Sequence, residues 1–435
     1  MSLVVGREDE LSRPDARTGR SSRRKVIVYG MNYAPEKTGV GRYTAEISEY
    51  LADQGADVTV VTTPPHYPSW QVEEGWKNGY SIRVENGVRV HRAPLFVRRR
   101  IHGIRRLLAP LSFALTSAPL FFWHALRRRP EVIICIEPTL LVAPAAHLAA
   151  RLTGARTVLH VQDLEVDAAF AVGHLKSVSW MKALAYAFER RMLGGFDGVV
   201  TISRRMAERL EEKGVGNDRL AVVLNWVDLS RIFPQRGCGG YRRELGYGEE
   251  DFIVLYSGAI GAKQGLDVLL AAAAHLRDEP RLRFVIAGEG PAKAELEARG
   301  RFLGNVRFLP LQPQERLNGF LNMADLHVLP QTRGAADLVL PSKLGGMLAS
   351  GKPLVVTADS GTELARFLKG AAILTPPDDA NALAEAIREA MRPHPNDGHN
   401  RRVLSRMLAK AEALPRFARF VMGDPNGERL PVHGE

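Results

Sequence analysis

The chain has 435 residues, of which 45% are hydrophobic and 25% charged, the composition of an ordinary globular protein. This length exceeds one compact core, so we expect two domains of roughly 150–200 residues each. A net charge of +11 favours anionic partners such as phosphates or a lipid surface. No zinc-type cluster or RNA-binding aromatic pattern accompanies that charge, so we expect no nucleic acid partner. Cys135 and Cys238 are far apart, which argues against a disulfide framework and fits a reducing compartment.

The chain begins with a basic segment, residues 1–23, that contains several arginines and few apolar residues. Segments of this composition do not bury enough apolar surface to fold, so we expect a disordered tail. The segment also lacks the apolar stretch of a secretory signal peptide.

Strand-like and helix-like runs alternate from residue 24 to residue 228, a pattern that predicts a parallel, doubly wound sheet. An Asn86-Gly87 pair between residues 81–84 and 88–91 adds one predicted hairpin. The other predicted strands are residues 25–30, 57–62, 131–136, 156–162, 198–202 and 220–224, and the predicted helices are residues 41–54, 140–152, 180–193 and 204–213.

Residues 97–129 combine arginine clusters with an uncharged stretch, residues 107–126, whose length would span a bilayer. Pro110 and Pro119 interrupt that stretch, and its equally basic flanks give no orientation signal. We therefore favour a helix packed on the sheet over a spanning helix. A basic and apolar surface that lies on an anionic membrane is an intermediate interpretation that fits both features.

Residues 229–250 are rich in glycine and charge and weak in periodicity, so they are predicted to be a linker. The alternation resumes in residues 251–395, which predicts a second doubly wound domain. Residues 396–435 are predicted to form a tail, with a helix at residues 401–413, that returns to the first domain. The predicted strands of the second half are residues 252–257, 282–287, 306–309, 326–329 and 353–357, and its helices are residues 266–276, 292–300, 313–323, 343–349 and 380–391.

Ligands of open α/β sheets bind beyond the carboxyl ends of the strands, so the segments that follow strands are the candidate sites. Gly39 and Gly41 follow the first strand directly before a helix and would let backbone N–H groups approach an anion. The alternative is a loop that needs glycine only for its own turn. The spacing is not that of a dinucleotide fingerprint.

Three segments of the second half share this pattern. The loop from Gly258 to Gly265 contains Lys263 and precedes an apolar helix, and Gly288-Glu289-Gly290 follows the next strand. In residues 337–355, Ser342 is a natural N-cap and Lys343 adds a positive charge at the predicted helix start. Lysines at two helix starts favour a nucleotide diphosphate site. For each loop alone, an ordinary turn with a solvated lysine is the alternative.

Several longer motifs occur together along residues 24–410. They are Asn32-Tyr-Ala-Pro-Glu36, Thr63-Pro-Pro-His-Tyr-Pro68, His160-Val-Gln-Asp-Leu-Glu-Val-Asp167, Asn225-Trp-Val-Asp228, Gly258–Gly265, Gly288-Glu-Gly290 and Gly334-Ala-Ala-Asp-Leu-Val-Leu-Pro-Ser-Lys343. With these motifs the chain resembles the retaining glycosyltransferases of family four, and within them the WcaI-like subgroup of colanic acid and exopolysaccharide biosynthesis.

The resemblance implies the GT-B fold, in which two Rossmann-like domains face each other across a cleft. It implies a nucleoside-diphosphate sugar donor held mainly by the second domain, an acceptor held by the first, and no cofactor or essential metal. Lys263 and Lys343 would stabilise the leaving diphosphate, whose charge grows as the glycosidic bond breaks. The implied donor contacts are Gly39, Gly41, Gly258, Gln264, Gly265, Gly288, Glu289, Asp337 and Ser342.

Some positions depart from the family pattern. Gly346 stands where many members have the glutamate that contacts the ribose. The family pattern contains a second glutamate, and Asp337, one residue away from that position, would take its place. Gln264 replaces the lysine directly before the last glycine of its loop. Gln162 replaces a histidine, which leaves His160 and Asp163 as candidates for a direct catalytic role. A hydrogen-bonded pair in a loop is the alternative for these two residues.

We predict a retaining glycosyltransferase that moves a sugar from a nucleoside diphosphate to a polyprenyl-linked oligosaccharide in exopolysaccharide, capsule or O-antigen assembly. Residues 97–129 would dock it on the inner face of the cytoplasmic membrane. One alternative is a GT-B nucleotide-sugar epimerase, which needs a set of catalytic carboxylates and a histidine facing the donor. The other is a non-catalytic partner in a polysaccharide complex, which the missing glutamate at Gly346 would suit.

Overall fold

The computed structural model describes residues 23–36, 39–67, 69–98, 107–171, 179–235, 239–333, 339–392 and 398–423. Within these ranges the chain forms an eight-stranded sheet followed by a six-stranded sheet. Most of the predicted N-terminal tail, residues 1–22, and the candidate donor contact Asp337 lie outside the described residues.

The first sheet has the strand order β3-β4-β2-β1-β5-β6-β7-β8, and only the edge hairpin β3–β4 is antiparallel. Its central strands are continuous apolar runs, because a parallel sheet is covered by helices on both faces. β5, for example, is buried along its whole length. The strands are β1 (Lys25–Tyr29), β2 (Asp57–Thr62), β3 (Ser81–Glu85), β4 (Val88–Arg92), β5 (Val132–Glu137), β6 (Arg156–Val161), β7 (Gly198–Thr201) and β8 (Leu220–Val222).

Helices cover both faces of the first sheet, and two clusters of buried side chains fill the layers between. One cluster includes Phe113 and Phe121 from the long second helix, and the other includes Ile47 and Leu51 from the first helix. The helices are α1 (Val40–Asp53), α2 (Leu108–Arg128), α3 (Ala143–Thr153), α4 (Glu165–Ala171), α5 (Ser179–Leu193) and α6 (Arg204–Glu212).

Helix α2 is continuous, although the prolines in it were expected to interrupt it. Pro110 lies in the first turn, where a missing N–H costs nothing, and Pro119 is accommodated inside the helix. The inner face holds α2 on the sheet: Phe121 stacks on Tyr29 with ring centroids 4.3 Å apart, and the Tyr29 and Ser117 hydroxyls lie 2.7 Å apart. The predicted helix packed on a sheet is therefore present, but its outer face is exposed.

The second sheet is entirely parallel, with the strand order β11-β10-β9-β12-β13-β14. Its strands are β9 (Phe252–Ser257), β10 (Leu282–Ala287), β11 (Val306–Leu309), β12 (Leu326–Leu329), β13 (Leu354–Thr357) and β14 (Ile373–Thr375), and its helices are α8 (Leu266–His275), α9 (Lys293–Gly300), α10 (Leu317–Asn322), α11 (Leu344–Ala349), α12 (Glu363–Phe367) and α13 (Ala380–Ala390).

The chain crosses between the two sheets twice, and the crossings lie side by side. Val227 and Ala409 form an isolated parallel bridge in which the Val227 N–H donates to Leu408 and the Lys410 N–H donates to Val227, both at 2.8 Å. After the second crossing, Phe417 and Val421 join the core of the first sheet.

Two predicted segments have a different secondary structure in the molecule, and two short helices were not predicted. Residues 229–250 were predicted to be a linker, but they contain helix α7 (Gly239–Leu245), whose Tyr241 packs on Phe320 of the second sheet's core. The single helix expected at residues 401–413 is two helices, α14 (His399–Met407) and α15 (Lys410–Val421), separated by the second crossing. Short helices α4 and α12 were not predicted, because they have five to seven residues and little periodicity.

Candidate functional site

Two glycine loops pack against each other at the carboxyl edge of the second sheet. The N–H of Gly258 donates to Ala287 at 3.0 Å, and the N–H of Ile260 donates to Glu289 at 2.9 Å. Gly288 has a φ of +151°, and a Cβ there would lie 1.8 Å from the Gly258 carbonyl oxygen. Only glycine permits this approach, so the two loops form one backbone-lined wall.

Lys343 lies under the Gly258 loop. Its Nζ donates to the Tyr256 hydroxyl at 2.7 Å and lies 4.0 Å from the centroid of that ring, while the same hydroxyl donates to the Ala259 carbonyl at 2.5 Å. A Cβ on Gly258 would lie 3.2 Å from the lysine Nζ. Tyr256 was not among the residues predicted for the site, although its position at the end of β9 would have indicated it.

Burial lowers the pKa of Lys343 to about 7. A lysine in this position is close to half-charged at neutral pH, and an anion beside it would restore the full charge. Burial thus makes the charge of the Lys343 side chain sensitive to a neighbouring anion.

Ser342 was expected to cap a helix, and this expectation was wrong. Helix α11 begins at Leu344 with Lys343 as its N-cap residue, without a side-chain cap, and Ser342 is exposed. The local chain instead closes a turn in which the Leu344 N–H donates to Pro341 at 2.9 Å. The positive character of this segment thus comes from the ammonium of Lys343 and not from a capped helix terminus.

Gly265 starts helix α8 with a φ of +60°, and its Cα approaches the backbone of Gln331, where a Cβ would lie about 3.0 Å away. Lys263 and Gln264 form the short 3-10 turn Ala262–Gln264 that precedes it. The position of the Lys263 side chain is not among the described parts of the structure. Glu289 is exposed, and its carboxylate accepts from Lys293 Nζ at 2.8 Å, so in this arrangement it is held by a neighbouring helix.

At the carboxyl edge of the first sheet, Glu36 joins the loop after β1 to the loop after β2. Its carboxylate accepts from Asn32 Nδ2 at 2.9 Å and from the N–H groups of His66 and Tyr67 at 3.1 Å each. Gly41 follows, and a Cβ there would lie 2.6 Å from Glu36 Oε2. Glycine at position 41 is therefore required by the packing of Glu36.

Burial shifts the pKa values of both ionisable side chains in the Glu36 cluster. Burial raises the pKa of Glu36 to about 7 and lowers the pKa of His66 to about 4. Burial therefore favours the uncharged form of both side chains. His66 is already neutral at the pH at which Glu36 loses its proton. Gly39, with a φ of +68°, lies at the same edge, where a Cβ would be 3.6 Å from the Tyr67 ring.

Asp163 follows β6 at this edge and is exposed. Its negative charge adds to the burial and the Glu36 charge that raise the pKa of Tyr67. Two glutamates brace its loop. Glu137 Oε1 accepts from the Glu165 N–H at 3.4 Å, and Glu165 Oε2 accepts from the Leu140 N–H at 3.0 Å. Burial, reinforced by Glu165, raises the pKa of Glu137 well above its usual range. The loop that contains Asp163 is therefore held by a buried carboxyl group for which burial favours the uncharged form.

His160 was expected to lie beside Asp163 at the cleft, and the structure places it elsewhere. Its ring is buried between the sheet and α15, 5.0 Å from the Phe417 ring, and its Nε2 accepts from Gln162 Nε2 at 3.1 Å. Burial lowers its pKa to about 3. Because side chains alternate along a strand, the His160 ring points to the face of the sheet that α15 covers, where its contacts are those of a buried packing residue.

The structure thus brings the predicted residues together in two groups. Gly258, Gly288, Gly265 and Lys343 lie at the edge of the second sheet, and Gly39, Gly41 and Asp163 lie at the edge of the first. Val339, four residues before Lys343, packs against the core of the first sheet, so the segment that contains Lys343 touches the first domain. Among the described residues, no three His, Cys, Asp or Glu side chains are grouped as a metal site would require.

Two family models match the chain, one on each sheet. Residues 38–226 match the glycosyl transferase 4-like domain, and residues 251–392 match glycosyl transferases group 1. Residues of the first group lie in the first match, and those of the second group lie in the second.

Relatives and solved structures agree with these matches. The chain is 42% identical to the colanic acid biosynthesis glycosyl transferase WcaI of Escherichia coli K12, over 92% of this chain and 100% of that protein. It is 27% identical to the glycosyltransferase WbjE of Pseudomonas aeruginosa, over 68% and 75% of the two chains.

Among solved structures, sucrose-phosphate synthase of Thermosynechococcus elongatus has a TM-score of 0.71 at 17% identity, over 91% of this chain and 98% of that one. Anabaena HepE, solved with UDP and glucose, has a TM-score of 0.65 at 14% identity, over 92% and 100%. These similarities confirm the predicted GT-B fold. The chain belongs to the glycosyltransferase family that combines a glycosyl transferase 4-like domain with a glycosyl transferases group 1 domain, and it is a glycosyltransferase.

Proposed function

We propose that the chain is a retaining glycosyltransferase that moves a sugar from a nucleoside diphosphate donor to a lipid-linked glycan in exopolysaccharide assembly. The observation that carries the donor class is Lys343, held beneath the Gly258 loop at the edge of the second sheet. The similarity to WcaI, whose name refers to colanic acid biosynthesis, supports the exopolysaccharide class. HepE, with the same fold, was solved with UDP-glucose, which supports a nucleotide-sugar donor.

In the proposed reaction the bond from the anomeric carbon to the diphosphate breaks, and the leaving diphosphate gains negative charge. Lys343 and Lys263 would stabilise that charge more strongly in the transition state than in the ground state. The N–H groups of the glycine loops would position the phosphates. Asp163, on the opposite sheet edge, would face the donor sugar and the acceptor hydroxyl.

We propose that this chemistry needs no metal ion, because the Lys343 ammonium group and the backbone N–H groups of the glycine loops would stabilise the charge that develops on the diphosphate. Transfer assays with GDP- and UDP-sugars test this proposal together with the activity. Turnover that persists in excess chelator would support it, and turnover that stops and returns on adding Mg²⁺ would overturn it.

The lysine roles have a direct test. Lys343→Ala and Lys263→Ala should each lower turnover at least tenfold, about 1.4 kcal/mol of transition-state stabilisation. Lys369→Ala, an exposed lysine of the same domain, is the matched control and should keep normal turnover. Normal turnover in both lysine variants would refute the diphosphate roles. No transfer with any donor and no nucleotide binding by calorimetry would refute the proposed function itself.

We also propose that the outer face of α2 docks the protein on the inner face of the cytoplasmic membrane. Leu115 and Trp123 are 68% and 60% exposed on that face, and Arg127 lies over the Trp123 ring at 5.6 Å. Apolar side chains beside arginines suit an anionic lipid surface. Across the described parts of the chain, no helix is both long enough and apolar enough to cross a bilayer.

A further inference from the structure

At the N-terminus of helix α6 in the first domain, a side chain of the same segment caps only one of the free backbone N–H groups. Ser203 caps it by accepting the Met206 N–H at 2.9 Å. The first two N–H groups, those of Arg204 and Arg205, have no intrahelical acceptor, because the first turn of any helix lacks one. A helix start with one side-chain cap therefore leaves two donors to be satisfied from outside.

A carboxylate of the second domain satisfies both donors. Glu363 begins α12, and its Oε1 accepts from the Arg204 N–H at 2.8 Å while its Oε2 accepts from the Arg205 N–H at 2.7 Å. The negative charge also lies at the positive end of the α6 dipole. Two short, charge-assisted bonds from one side chain fix both the distance and the orientation of the two elements.

This bridge crosses between the two carboxyl edges that hold the candidate site. Helix α6 follows β7, which lies beside β6 and its Asp163 loop, and α12 follows β13 in the sheet that carries Lys343. Val339, in the Lys343 segment, packs on the first domain's core in the same arrangement. The Glu363 bridge and the Val339 contact therefore hold the same relative position of the two domains.

We infer that Glu363 is a positioning residue that holds the two domains in the arrangement in which the donor side faces the acceptor side. It acts through the backbone of Arg204 and Arg205, at the start of α6. The effect on turnover rests on the proposed function, whereas the effect on domain arrangement does not. The two are therefore measured separately.

The bridge can be broken from either side. Glu363→Gln keeps the shape of the side chain but removes its charge and replaces one acceptor with an N–H₂ donor. Arg204→Pro deletes one backbone donor at the first helical position, where proline is well tolerated, and Ser203 before it already has the extended backbone that precedes proline, with φ −155° and ψ 156°. Arg204→Ala is the matched control, because it removes the side chain and retains the N–H.

Small-angle X-ray scattering and turnover are the measurements. Glu363→Gln should raise the radius of gyration and lower kcat about tenfold, and Arg204→Pro should raise the radius and lower kcat about threefold. Arg204→Ala and the exposed Glu385→Gln should change neither quantity. Donor affinity by calorimetry should stay within about twofold in all variants, since the donor-side residues lie in the second domain.

The outcomes separate the inference from the proposed function. If Glu363→Gln and Arg204→Pro both scatter like the unmodified protein, the inference is wrong, whatever the activity. If Arg204→Ala has the same effect as Arg204→Pro, the arginine side chain and not the backbone donor is responsible, which also overturns it. If no donor is turned over by any form, the proposed function fails while the scattering comparison still tests the bridge.

Discussion

Lys343 is held by its hydrogen bond to Tyr256 in a site where burial lowers its pKa to about 7. Its usual pKa is 10.5, so between these values the folded protein favours the neutral amine. A bound diphosphate stabilises the ammonium and raises the pKa again. Binding of the donor at pH 8 should therefore take up a proton at this residue.

Calorimetry of donor binding at pH 8 in two buffers with different ionisation enthalpies measures this proton uptake. The affinity should also fall as the pH rises from 7 to 9, because more of the free protein must then be protonated. Lys343→Met should abolish the uptake and flatten the pH dependence. Equal proton uptake by Lys343→Met and the unmodified protein would assign the proton to another group.

At the scale of elements, helix α2 has one face that is packed on the sheet and one that is exposed. Its inner face is anchored by Phe121 on Tyr29 and by the buried Ser117 hydroxyl, and its outer face is apolar and exposed. The outer side chains contribute little to the core, so they can be changed without unfolding the protein. This separation permits a test of membrane docking that does not alter the fold.

Leu115→Ser with Trp123→Ser should lower binding to vesicles that contain anionic lipid at least tenfold in a flotation assay at low salt. The free energy of unfolding should change by less than about 1 kcal/mol, as is usual for exposed sites. Phe302→Ser, at an aromatic residue of the second domain that is 79% exposed, is the control and should bind normally. No flotation of the unmodified protein at low salt would exclude the docking surface.

The wall formed by the two glycine loops shows which parts of the candidate site could be predicted from single elements of the sequence. The glycine loops after β9 and β10 were predicted from their position after strands, and they do lie at one edge. The contact between Gly288 and Gly258 was not predictable, since it depends on which strands are neighbours in the sheet. The prediction of Ser342 as an N-cap failed for a similar reason. The local pattern is typical of a cap, but the turn closed by the Pro341 carbonyl places the helix start at Leu344, so Lys343 and not Ser342 occupies the N-cap position.

On the scale of the whole molecule, Glu46 of α1 connects the first domain to both crossings. Its Oε2 accepts from the Trp226 Nε1–H at 2.5 Å and lies 3.5 Å from Lys410 Nζ. Trp226 is fully buried, so its N–H has no water to replace the carboxylate. The same helix starts at the Gly39 loop, which places the crossings and the candidate acceptor edge on one rigid element.

Glu46→Ala should lower the free energy of unfolding of the first domain by about 1–3 kcal/mol, the cost of leaving a buried donor unsatisfied. Urea denaturation followed by tryptophan fluorescence measures this change. Asp53→Ala, an exposed acid at the end of the same helix, should change stability by less than about 0.5 kcal/mol. Equal midpoints for Glu46→Ala and the unmodified protein would show that Trp226 does not depend on Glu46.

The amino-acid sequence alone determined the two-sheet α/β architecture, because near-continuous apolar strands and amphipathic helices depend on local periodicity. It also indicated the glycine loops and Lys343, since chemistry at the ends of parallel strands follows from order along the chain. Only the tertiary structure decided that His160 faces α15, that Tyr256 holds Lys343 and that Glu363 bridges to α6. These contacts join residues that are between 87 and 257 positions apart, and no local pattern encodes which distant side chains meet.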